Sequence, residues 1–397
     1  MSQITAVKTR VQSIDILRGI IMVIMALDHV RDYFHKTGMT NDPLNLSTTT
    51  PALFFTRWIT HFCAPIFVFL SGTSIYLVST RKTKKEVSSF LIKRGLWLVL
   101  IEVTLITLGW TFNPFYNAFV LQVIWVIGIS MAIMGLLIWL PYNFLLILGL
   151  AFVFGHDLID YAEAAHAGAY SFWWDLLHHG SFAAAHSLDK THVIVTAYAL
   201  IPWLGAMILG YCFGKLYSPG VNGSIRQKLL FRLGFCAILL FVIVRWINIY
   251  GDPRPWTTQQ SFFYTFLDFI KVNKYPPSLM YLCMTIGTGM LMLALLENVK
   301  NKTTGFFNVF GRVPFFYYIL HLYLIHLICV ILFFTSGYTT QQISAPGQFF
   351  NFRPNNFGYS LPVVYLIWLI VIFLLYFPCR KYNQYKSTHK HWWLSYL

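Results

Sequence analysis

The chain has 397 residues, of which 57% are hydrophobic and 11% are Asp, Glu, Lys or Arg. A soluble domain carries about 25% charged residues, so this composition excludes an ordinary soluble protein and indicates a polytopic helical membrane protein. The formal net charge of +15 would favour a nucleic-acid partner in a soluble protein, but the excess of Lys and Arg in cytoplasmic loops explains it here. We therefore expect a lipid bilayer around the chain and no nucleic-acid partner.

Ten segments are long and apolar enough to span a membrane as helices, for which about 20 mainly apolar residues are needed. They are, in chain order, 14–34, 52–79, 90–111, 118–139, 142–160, 192–216, 228–250, 277–297, 313–336 and 360–379. The fifth is the weakest because Gly155, His156 and Asp157 end its apolar run early, so a re-entrant or interfacial segment is the alternative there. The predicted fold is all-α, a transmembrane helical bundle of about ten, or at most eleven, spans.

The basic residues predict how this bundle is oriented. With the N-terminus in the cytoplasm, most of the 29 Lys and Arg fall in the two tails and the inner connections, as the positive-inside rule requires. Every inner connection is basic except the short one around Pro141. We therefore predict one transmembrane domain over 1–397 with both termini cytoplasmic, an N-terminal tail at 1–13 and a C-terminal tail at 380–397.

The outer connections differ in character from the inner ones. The 156–191 connection contains five histidines together with acidic residues, and 251–276 mixes aromatic and charged residues, as an amphipathic helix in the membrane interface would. The third, 337–359, is rich in Asn, Gln, Pro and Gly. Long loops are often lids or binding loops, so we expect an outer vestibule suited to a sugar or a head group. Loops that merely cap the bundle are the alternative.

Charged residues interrupt the first predicted span, IDILRGIIMVIMALDHVRDYF at 14–34. A charge in hydrocarbon is expensive, so such residues are functional candidates by default. Asp15 and Arg18 lie near the inner end on one helix face, where a local ion pair with Arg18 extending to the interface is the simpler interpretation. Near the outer end, His29 points about 100° away from Asp28, so the ion pairs of its neighbours need not engage it.

Three further histidines and one acid inside the predicted spans are candidates for a functional role. His61 in the second span has a depth comparable to that of His29 in the first, which makes these two the stronger candidates for a catalytic base. His321 and His326 in the ninth span are spaced so that they do not share a face, which argues against a helical metal site. Packing or hydrogen bonding is the simpler role for both. Glu102 in the third span is either protonated or the partner of a buried Arg or His.

Several stretches together resemble one enzyme family. SIDILRGIIMVIMALDH at 13–29 is similar to the first helix of the transmembrane acyltransferases, and the spacing of Arg18 and His29 matches the Arg-x10-His pair of that superfamily. APIFVFLSGTSIYL at 64–77 resembles a Pro-x-Phe-Val-Phe stretch of the heparan-α-glucosaminide N-acetyltransferase catalytic-domain family. The other stretches similar to bacterial members are KYPPSLMYLCMTIG at 274–287 and FGRVPFFYYILHLYLIHL at 310–327.

The resemblance implies an integral membrane enzyme of a bacterial cytoplasmic membrane. It would take an acetyl or other acyl group from cytoplasmic acyl-CoA and deliver it to an amine or hydroxyl of an extracytoplasmic sugar or glycan. The expected partners are acyl-CoA, the glycan acceptor and the bilayer, with acetyl-CoA as co-substrate and no metal. The chain lacks the Arg-x-x-Arg pair of the wider superfamily, and in the lysosomal branch the catalytic His lies between the first two helices. His29, His35 and His61 therefore all stay open as the base.

We accordingly predict His29 and His61 as catalytic, as general base or acyl carrier, with Asp28 as an orienting carboxylate. Candidates for contact with CoA at the inner side are Asp15, Arg18, Lys93, Arg94 and Arg312. A proton-coupled solute transporter using the same Asp and His residues is the first alternative, and a non-catalytic lipid- or glycan-binding protein is the second. The acceptor, the acyl chain, N- or O-acylation, a direct or acyl-enzyme route, and the oligomeric state, a homodimer included, stay open.

Overall fold

The computed structural model describes residues 11–166, 168–218, 220–344 and 349–395. Within them the helices are α1 Gln12–Phe34, α2 Pro51–Ile59, α3 Cys63–Ser79, α4 Lys84–Ile101, α5 Thr107–Thr111, α6 Val123–Leu137, α7 Tyr142–Gly155, α8 Leu158–Ala164, α9 Phe172–Trp174, α10 Leu200–Phe213, α11 Gly223–Ile247, α12 Phe262–Ile270, α13 Leu279–Leu296, α14 Lys302–Gly311, α15 Pro314–Thr335 and α16 Leu361–Thr388. Single 3-10 or π turns lie at Thr60–Phe62, Glu102–Ile106, Asp175–His179, Gly214–Tyr217, Thr340–Gln342 and Trp392–Ser395. Residues 1–10 of the predicted N-terminal tail and 396–397 of the C-terminal tail lie outside the described residues.

The predicted class, an all-α polytopic helical protein, is confirmed. In the described part of the chain, seven helical stretches are long and apolar enough to cross a membrane: Pro51–Ser79, Tyr142–Ala164, Leu200–Tyr217, Gly223–Ile247, Leu279–Leu296, Pro314–Thr335 and Leu361–Thr388. The other three predicted spans coincide with α1, which carries several charges, with α4 and α5 joined by a π turn, and with the shorter α6. The count of ten spans and the cytoplasmic termini stay predictions.

Local sequence signals set where several helices begin and end. The Thr50 hydroxyl caps α2 by accepting a hydrogen bond from the Leu53 backbone N–H at 3.3 Å, ahead of a proline in the first turn. Thr83 and Glu86 form a capping box at the start of α4. Asn248 ends α11 in the left-handed region at φ 59°, a conformation that Asn tolerates. The helix bounds therefore follow from capping as well as from hydropathy.

Two predicted spans begin with strands, which corrects the all-helical prediction at 118–121 and 193–196. These residues form β1 Ala118–Leu121 and β3 Val193–Thr196, which pair in parallel, and β2 Ala185–Ser187 pairs antiparallel with β3. A short run of Val, Ile and Ala is equally apolar in a buried strand and in a helix, so hydropathy alone does not separate them. The sheet joins the start of α6 to the segment that leads into α10.

Two other predicted bounds were wrong. The fifth span, predicted to end at 160, continues through α8 to Ala164, despite the break at His156 and Asp157. The last helix runs to Thr388 instead of 379, so the first part of the predicted C-terminal tail is helical.

The structure describes the whole 251–276 connection, and α12 is its one helix. Its Leu267 is buried while Phe262 is exposed, as the predicted amphipathic helix requires.

Helix α1 lies at the centre of the bundle and contacts α3, α13, α14, α15 and α16. It is closest to α14, where a methyl group on Gly311 would lie 1.7 Å from the Asp15 carbonyl oxygen and one on Gly19 would lie 1.8 Å from the Phe307 carbonyl oxygen. Gly210 of α10 also allows close packing, because a methyl group there would lie 2.0 Å from the Phe69 carbonyl oxygen of α3. The inner end of α1, with Asp15 and Arg18, is therefore packed tightly against α14.

Candidate active site

The carboxylate of Asp28 is held by two guanidinium groups. Arg31 Nη2 donates to it at 2.9 Å, Arg57 Nη1 at 3.2 Å, and the Thr60 hydroxyl at 2.9 Å. Among the described residues it forms no hydrogen bond with a histidine, so the structure brings Asp28 to arginines instead of to the predicted base. Sequence reasoning missed Arg57. The available signal was its position four residues before His61, on the face of α2 that approaches the outer end of α1.

His29 lies on another face of α1 and pairs with His321 of α15. The His29 Nδ1 and His321 Nε2 atoms are 2.7 Å apart, and the two rings are nearly parallel with centroids 4.9 Å apart. Trp110 and Tyr318 present ring edges to His29 at centroid distances of 4.7 and 6.3 Å. Both histidines are buried. This arrangement is consistent with the prediction that the neighbouring ion pairs leave His29 free. His321 forms a hydrogen bond with His29 in addition to packing against it.

The proton positions of this pair follow from one backbone carbonyl. His321 Nδ1 is 3.1 Å from the Tyr317 carbonyl oxygen, which can only accept, so we assign the proton of a neutral His321 to Nδ1. Its Nε2 is then an acceptor and receives the Nδ1–H of His29. This assignment leaves the lone pair of His29 on Nε2, to which no hydrogen bond from the described residues is directed.

His61 occupies a different environment. Its ring stands edge-on to Tyr281 at 5.4 Å, its backbone carbonyl accepts the Tyr281 hydroxyl at 2.7 Å, and its Nδ1 has no hydrogen-bond partner among the described residues. It lines an outer cavity of about 620 Å³ together with Arg57, Lys274 and Tyr275. No hydrogen bond joins His61 to His29 in the described part of the chain, so the two predicted catalytic histidines do not form one pair.

His35, the third candidate base, follows the last turn of α1. Its Nδ1 is 2.9 Å from the Thr37 hydroxyl, and its carbonyl accepts from the buried Arg353 at 2.8 Å. Burial, followed by the positive charge of Arg31, lowers the pKa of His35. The hydrogen bonds of its ring are thus with Thr37 alone among the described residues, and they do not include His29 or His61.

At the inner end of α1 the predicted ion pair is present. Arg18 Nη1 lies 3.7 Å from Asp15 Oδ1, and Nη2 donates to the Leu70 carbonyl at 3.1 Å and to the Ser74 hydroxyl. Arg18 therefore links α1 to α3, with part of its side chain exposed.

The remaining inner candidates lie on α4 and at the start of α15. Lys93 is exposed, and the Arg94 guanidinium lies 5.9 Å from the Phe90 ring. Arg312 precedes α15, and its Nε has no hydrogen-bond partner within the described residues. Helices α4 and α15 contact each other through the rings of Trp97 and Phe315, whose centroids are 5.4 Å apart. The chain thus supplies cationic side chains on adjacent helices at this end of the bundle.

Glu102 is fully buried, and its partners are backbone groups. The Gln122 and Trp125 N–H groups donate to its two carboxylate oxygens at 3.3 and 3.0 Å. These donors belong to the start of α6, whose first N–H groups lack intrahelical partners. Of the two alternatives for Glu102, the partnership with a buried Arg or His is not formed among the described residues. Glu102 instead caps the start of α6 from the π turn that follows α4.

Comparison with known families shows the family to which the chain belongs. The family model described as heparan-alpha-glucosaminide N-acetyltransferase, catalytic, matches residues 10–250. The chain belongs to this family. The matched stretch runs from α1 to α11 and includes His29 and His61, whereas His321 lies beyond it. No curated protein matches the chain. Membership of this family makes the chain a membrane acetyltransferase, and nothing in the comparisons favours a transporter.

Proposed function

We propose that the chain transfers an acetyl group from cytoplasmic acetyl-CoA to an amine or hydroxyl of a sugar on the outer side of a bacterial cytoplasmic membrane, with His29 as the reacting base. The observation that carries this proposal is the hydrogen bond between His29 and His321. It fixes the ring of His29 and leaves a lone pair on Nε2, which is what a general base or an acyl carrier needs.

In the direct route, His29 Nε2 takes the proton of the acceptor amine or hydroxyl as that nitrogen or oxygen attacks the thioester carbonyl carbon. The C–S bond then breaks, and the departing CoA sulfur takes up the proton from the imidazolium. In the acyl-enzyme route, Nε2 itself attacks the thioester carbonyl carbon, and the C–S bond breaks so that CoA departs as its thiolate. The acceptor then attacks the acetyl carbon of the acetyl-histidine, the bond from Nε2 to that carbon breaks, and the acceptor proton passes to the CoA thiolate. Both routes use the same atom. General-base catalysis contributes about 10²–10⁴-fold to the rate, and His321 supports it by accepting the Nδ1–H of the charged His29.

The geometry of α1 suits a donor that enters from the cytoplasm. Arg18 and His29 are separated by ten residues, which places them about 16 Å apart along the helix and within about 20° of the same face. Met22 and Met25 lie between them on that face and are buried. Methionine side chains are flexible and adapt to a guest. In our proposal the CoA phosphates contact Arg18, the cationic side chains of α4 and Arg312, and the acyl arm follows the methionine face towards His29.

The outer cavity is our candidate for the acceptor. Small-molecule pockets have volumes of about 300–1,000 Å³, and this cavity of about 620 Å³ falls within that range. Arg57, His61 and Lys274 supply polar groups to its wall, as recognition of hydroxyl or amino groups of a sugar requires. His61 is then a residue of the acceptor side, and His29 is the base on the donor side.

The test uses detergent-purified protein, acetyl-CoA as donor and D-glucosamine as acceptor probe. Acetyl-CoA should raise the apparent melting temperature by mass action. His29→Ala should keep this shift and lose transfer by at least about 100-fold, whereas the control His326→Gln, on the helix of His321, should keep both. Absence of a shift at saturating acetyl-CoA would overturn the proposal, and solute flux into CoA-free proteoliposomes would then favour the transporter.

A further inference from the structure

The outer cavity of about 620 Å³, which the proposed function assigns to the acceptor, has several cationic side chains in its wall. Two of its arginines are in ion pairs, Arg57 with Asp28 at 3.2 Å and Arg245 with Asp252 at 3.5 Å. Three further cations of the wall form no ion pair within the described residues. They are Lys271, Lys274 and Arg254.

The two acids of the same wall are held by neutral donors. Asp42 Oδ1 accepts the Leu44 N–H at 2.9 Å. Asp268 Oδ2 accepts the Thr257 N–H at 2.9 Å and the side-chain amide of Gln259 at 3.1 Å. Neither carboxylate forms an ion pair in the described part of the chain. Three unpaired cations therefore share the cavity with two acids, and the excess charge of the wall is positive.

Lys274 is the first observation that points to a ligand. It is 8% exposed, and among the described residues its Nζ forms no hydrogen bond or ion pair, although it lies 5.1 Å from the centroid of the Tyr275 ring. Its charge acts on Asp28, but Arg31 and Arg57 already bind that carboxylate. A buried ammonium group with three N–H donors and no acceptor costs folding free energy unless an anion offsets the charge.

His61 is the second observation, and it comes from a different part of the chain. It lies on the 3-10 turn Thr60–Phe62, whereas Lys274 follows α12. His61 is 1% exposed, lines the cavity, and has no hydrogen-bond partner at Nδ1 within the described residues. An imidazole nitrogen can donate to an anion or accept from a hydroxyl group. A sugar that carries an anionic group would supply partners to both side chains.

Helix α12 places this cavity beside the membrane interface. Asp268 of α12 and Lys271, directly after it, line the cavity, whereas Phe262 and Phe266 of the same helix are 91% and 45% exposed. A helix with an exposed aromatic face and a polar face lies in the plane of the interface. An acceptor that is attached to a lipid would therefore present its head group at the depth of the cavity.

We propose, on the basis of the proposed function, that the acceptor sugar carries a phosphate group and that Lys274 binds this phosphate together with Lys271 and Arg254. Ammonium groups act as point charges and can approach phosphate oxygens from several directions, whereas a carboxylate is matched best by the planar fork of an arginine. The fork of Arg57 is directed at Asp28. A free sugar phosphate and the phosphodiester of a lipid-linked sugar share this chemistry, and the position of α12 favours the second.

The experiment measures ligand binding by calorimetry to the full-length protein in detergent, without acetyl-CoA. The probes are D-glucosamine, D-glucosamine 1-phosphate and the dodecyl phosphodiester of D-glucosamine. We expect the 1-phosphate to bind at least about 10-fold more tightly than glucosamine, as a hydrogen bond to a charged group allows, and this preference to weaken as NaCl is added.

The dodecyl phosphodiester distinguishes the two sources of the phosphate. Dodecyl D-glucosaminide, which has the alkyl chain without the phosphate, corrects for partition into the micelle. After this correction, tighter binding of the diester than of the 1-phosphate would support a lipid-linked acceptor. The reverse order would support a soluble sugar phosphate at the same site.

Lys274→Met removes the charge at nearly constant volume and should abolish the preference for phosphate while glucosamine binding stays unchanged. Its melting temperature should not fall, since the loss of an unpaired buried charge is neutral or stabilising. Lys271→Gln, at a half-buried position, should weaken the preference and serves as the second variant if Lys274→Met does not fold. The matched control is Lys190→Met, at an exposed position of the histidine-rich connection, which should keep the preference.

Equal affinity of the wild type for glucosamine and its 1-phosphate would overturn the inference, as would an unchanged preference in both Lys274→Met and Lys271→Gln. The proposed function is judged separately, from acetyl transfer to glucosamine. Transfer without a preference for phosphate would remove only this inference. A preference for phosphate without transfer would leave a phosphate-binding cavity and remove the proposed function.

Discussion

At the level of single residues, the backbone carbonyl of Tyr317 determines which nitrogen of His321 carries the proton. Because it accepts from His321 Nδ1 at 3.1 Å, the acceptor nitrogen of His321 faces His29, and His29 must donate through Nδ1. The free lone pair of His29 is therefore set by a backbone group one turn away on α15. His321 is a positioning residue in this scheme, since it acts through His29.

Replacement of His321 should thus lower the rate more than it changes substrate binding. We expect His321→Ala to reduce kcat of acetyl transfer by about 10–100-fold, part of the 10²–10⁴-fold that a general base supplies, with a smaller change in KM for acetyl-CoA. His321→Gln should restore part of the rate, because its amide oxygen can accept from His29 Nδ1–H. Steady-state kinetics of both variants and the pH profile of kcat provide the measurement.

A purely structural role for His321 predicts a different pattern. In that case Ala and Gln variants would lose rate in proportion to their loss of melting temperature, and the pH profile would not move. His326→Gln is the control, since His326 lies on the same helix, is equally buried, and bonds the Asn351 carbonyl at 3.0 Å.

Glu102 should matter for stability, because its carboxylate accepts two N–H groups at the start of α6. Glu102→Ala leaves both donors unpaired in the bundle, which we expect to cost about 1–3 kcal/mol of unfolding free energy. Glu102→Gln keeps one acceptor and should cost less. Unfolding in mixed SDS and detergent micelles measures both. Glu86→Gln, which changes an exposed capping acid, should have a smaller effect than Glu102→Gln, and the reverse order would contradict the capping role.

Part of the site could be predicted from sequence at this scale, because helix geometry fixes which side chains share a face. The ion pair of Asp15 with Arg18 and the separate direction of His29 follow from spacing alone. The contacts of His29 with His321 and of Asp28 with Arg57 join residues on different helices. Their formation depends on helix rotation and crossing, which the period of one helix does not contain.

At the level of elements, the contact of α1 with α14 positions the inner end of the site. The backbones touch at Gly19 and Gly311, directly beside Asp15 and Arg18. Close approach of this kind is possible only without a Cβ at the crossing. The position of Arg18 relative to α14 therefore depends on two glycines.

Substitution of Gly311 should test whether the contact of α1 with α14 depends on this glycine. For Gly311→Ala, the new methyl group would lie 1.7 Å from the Asp15 carbonyl oxygen, so the helices must separate, which we expect to cost about 1–3 kcal/mol as overpacking does. Gly305→Ala on the same helix meets no atom within 4 Å and should be neutral or slightly stabilising, because Ala has the better helix propensity. Melting temperatures of the two variants are compared. Similar losses in both would mean that α14 does not pack on α1 through Gly311.

The sequence predicted most helix positions correctly, because long apolar runs bounded by capping residues leave few alternatives. It missed α14, whose ten residues are too short and too polar for a span, and it missed the strands at 118–121 and 193–196. Strand pairing between residues so far apart in the chain depends on tertiary structure, and local hydropathy does not predict it.

On the scale of the whole molecule, the charge distribution and the helix order predict the same orientation of the bundle in the membrane. The exposed basic connection at 80–85 follows α3, and the histidine-rich connection at 168–191 precedes α10. Helices α3 and α10 pack in parallel, with Thr73 beside Gly210 and Tyr76 beside Gly214, so the two connections lie at opposite ends of this helix pair. Placing the basic end in the cytoplasm puts Arg18 and Arg94 on the side of acetyl-CoA and the outer cavity on the side of the acceptor. The proposed reaction therefore needs this orientation and fails in the inverted one.

Accessibility of introduced cysteines tests the orientation directly. The six native cysteines are free, and Cys236 is the exposed one, so Cys236→Ser provides the background. In intact cells a membrane-impermeant maleimide should label Asp189→Cys, since Asp189 lies in the outer connection, and should leave Lys85→Cys unlabelled until the membrane is opened. Both positions are exposed, so a difference in labelling reports sidedness and not burial. Labelling of Lys85→Cys alone would invert the bundle, and labelling of both would place an even number of spans between them instead of the three predicted.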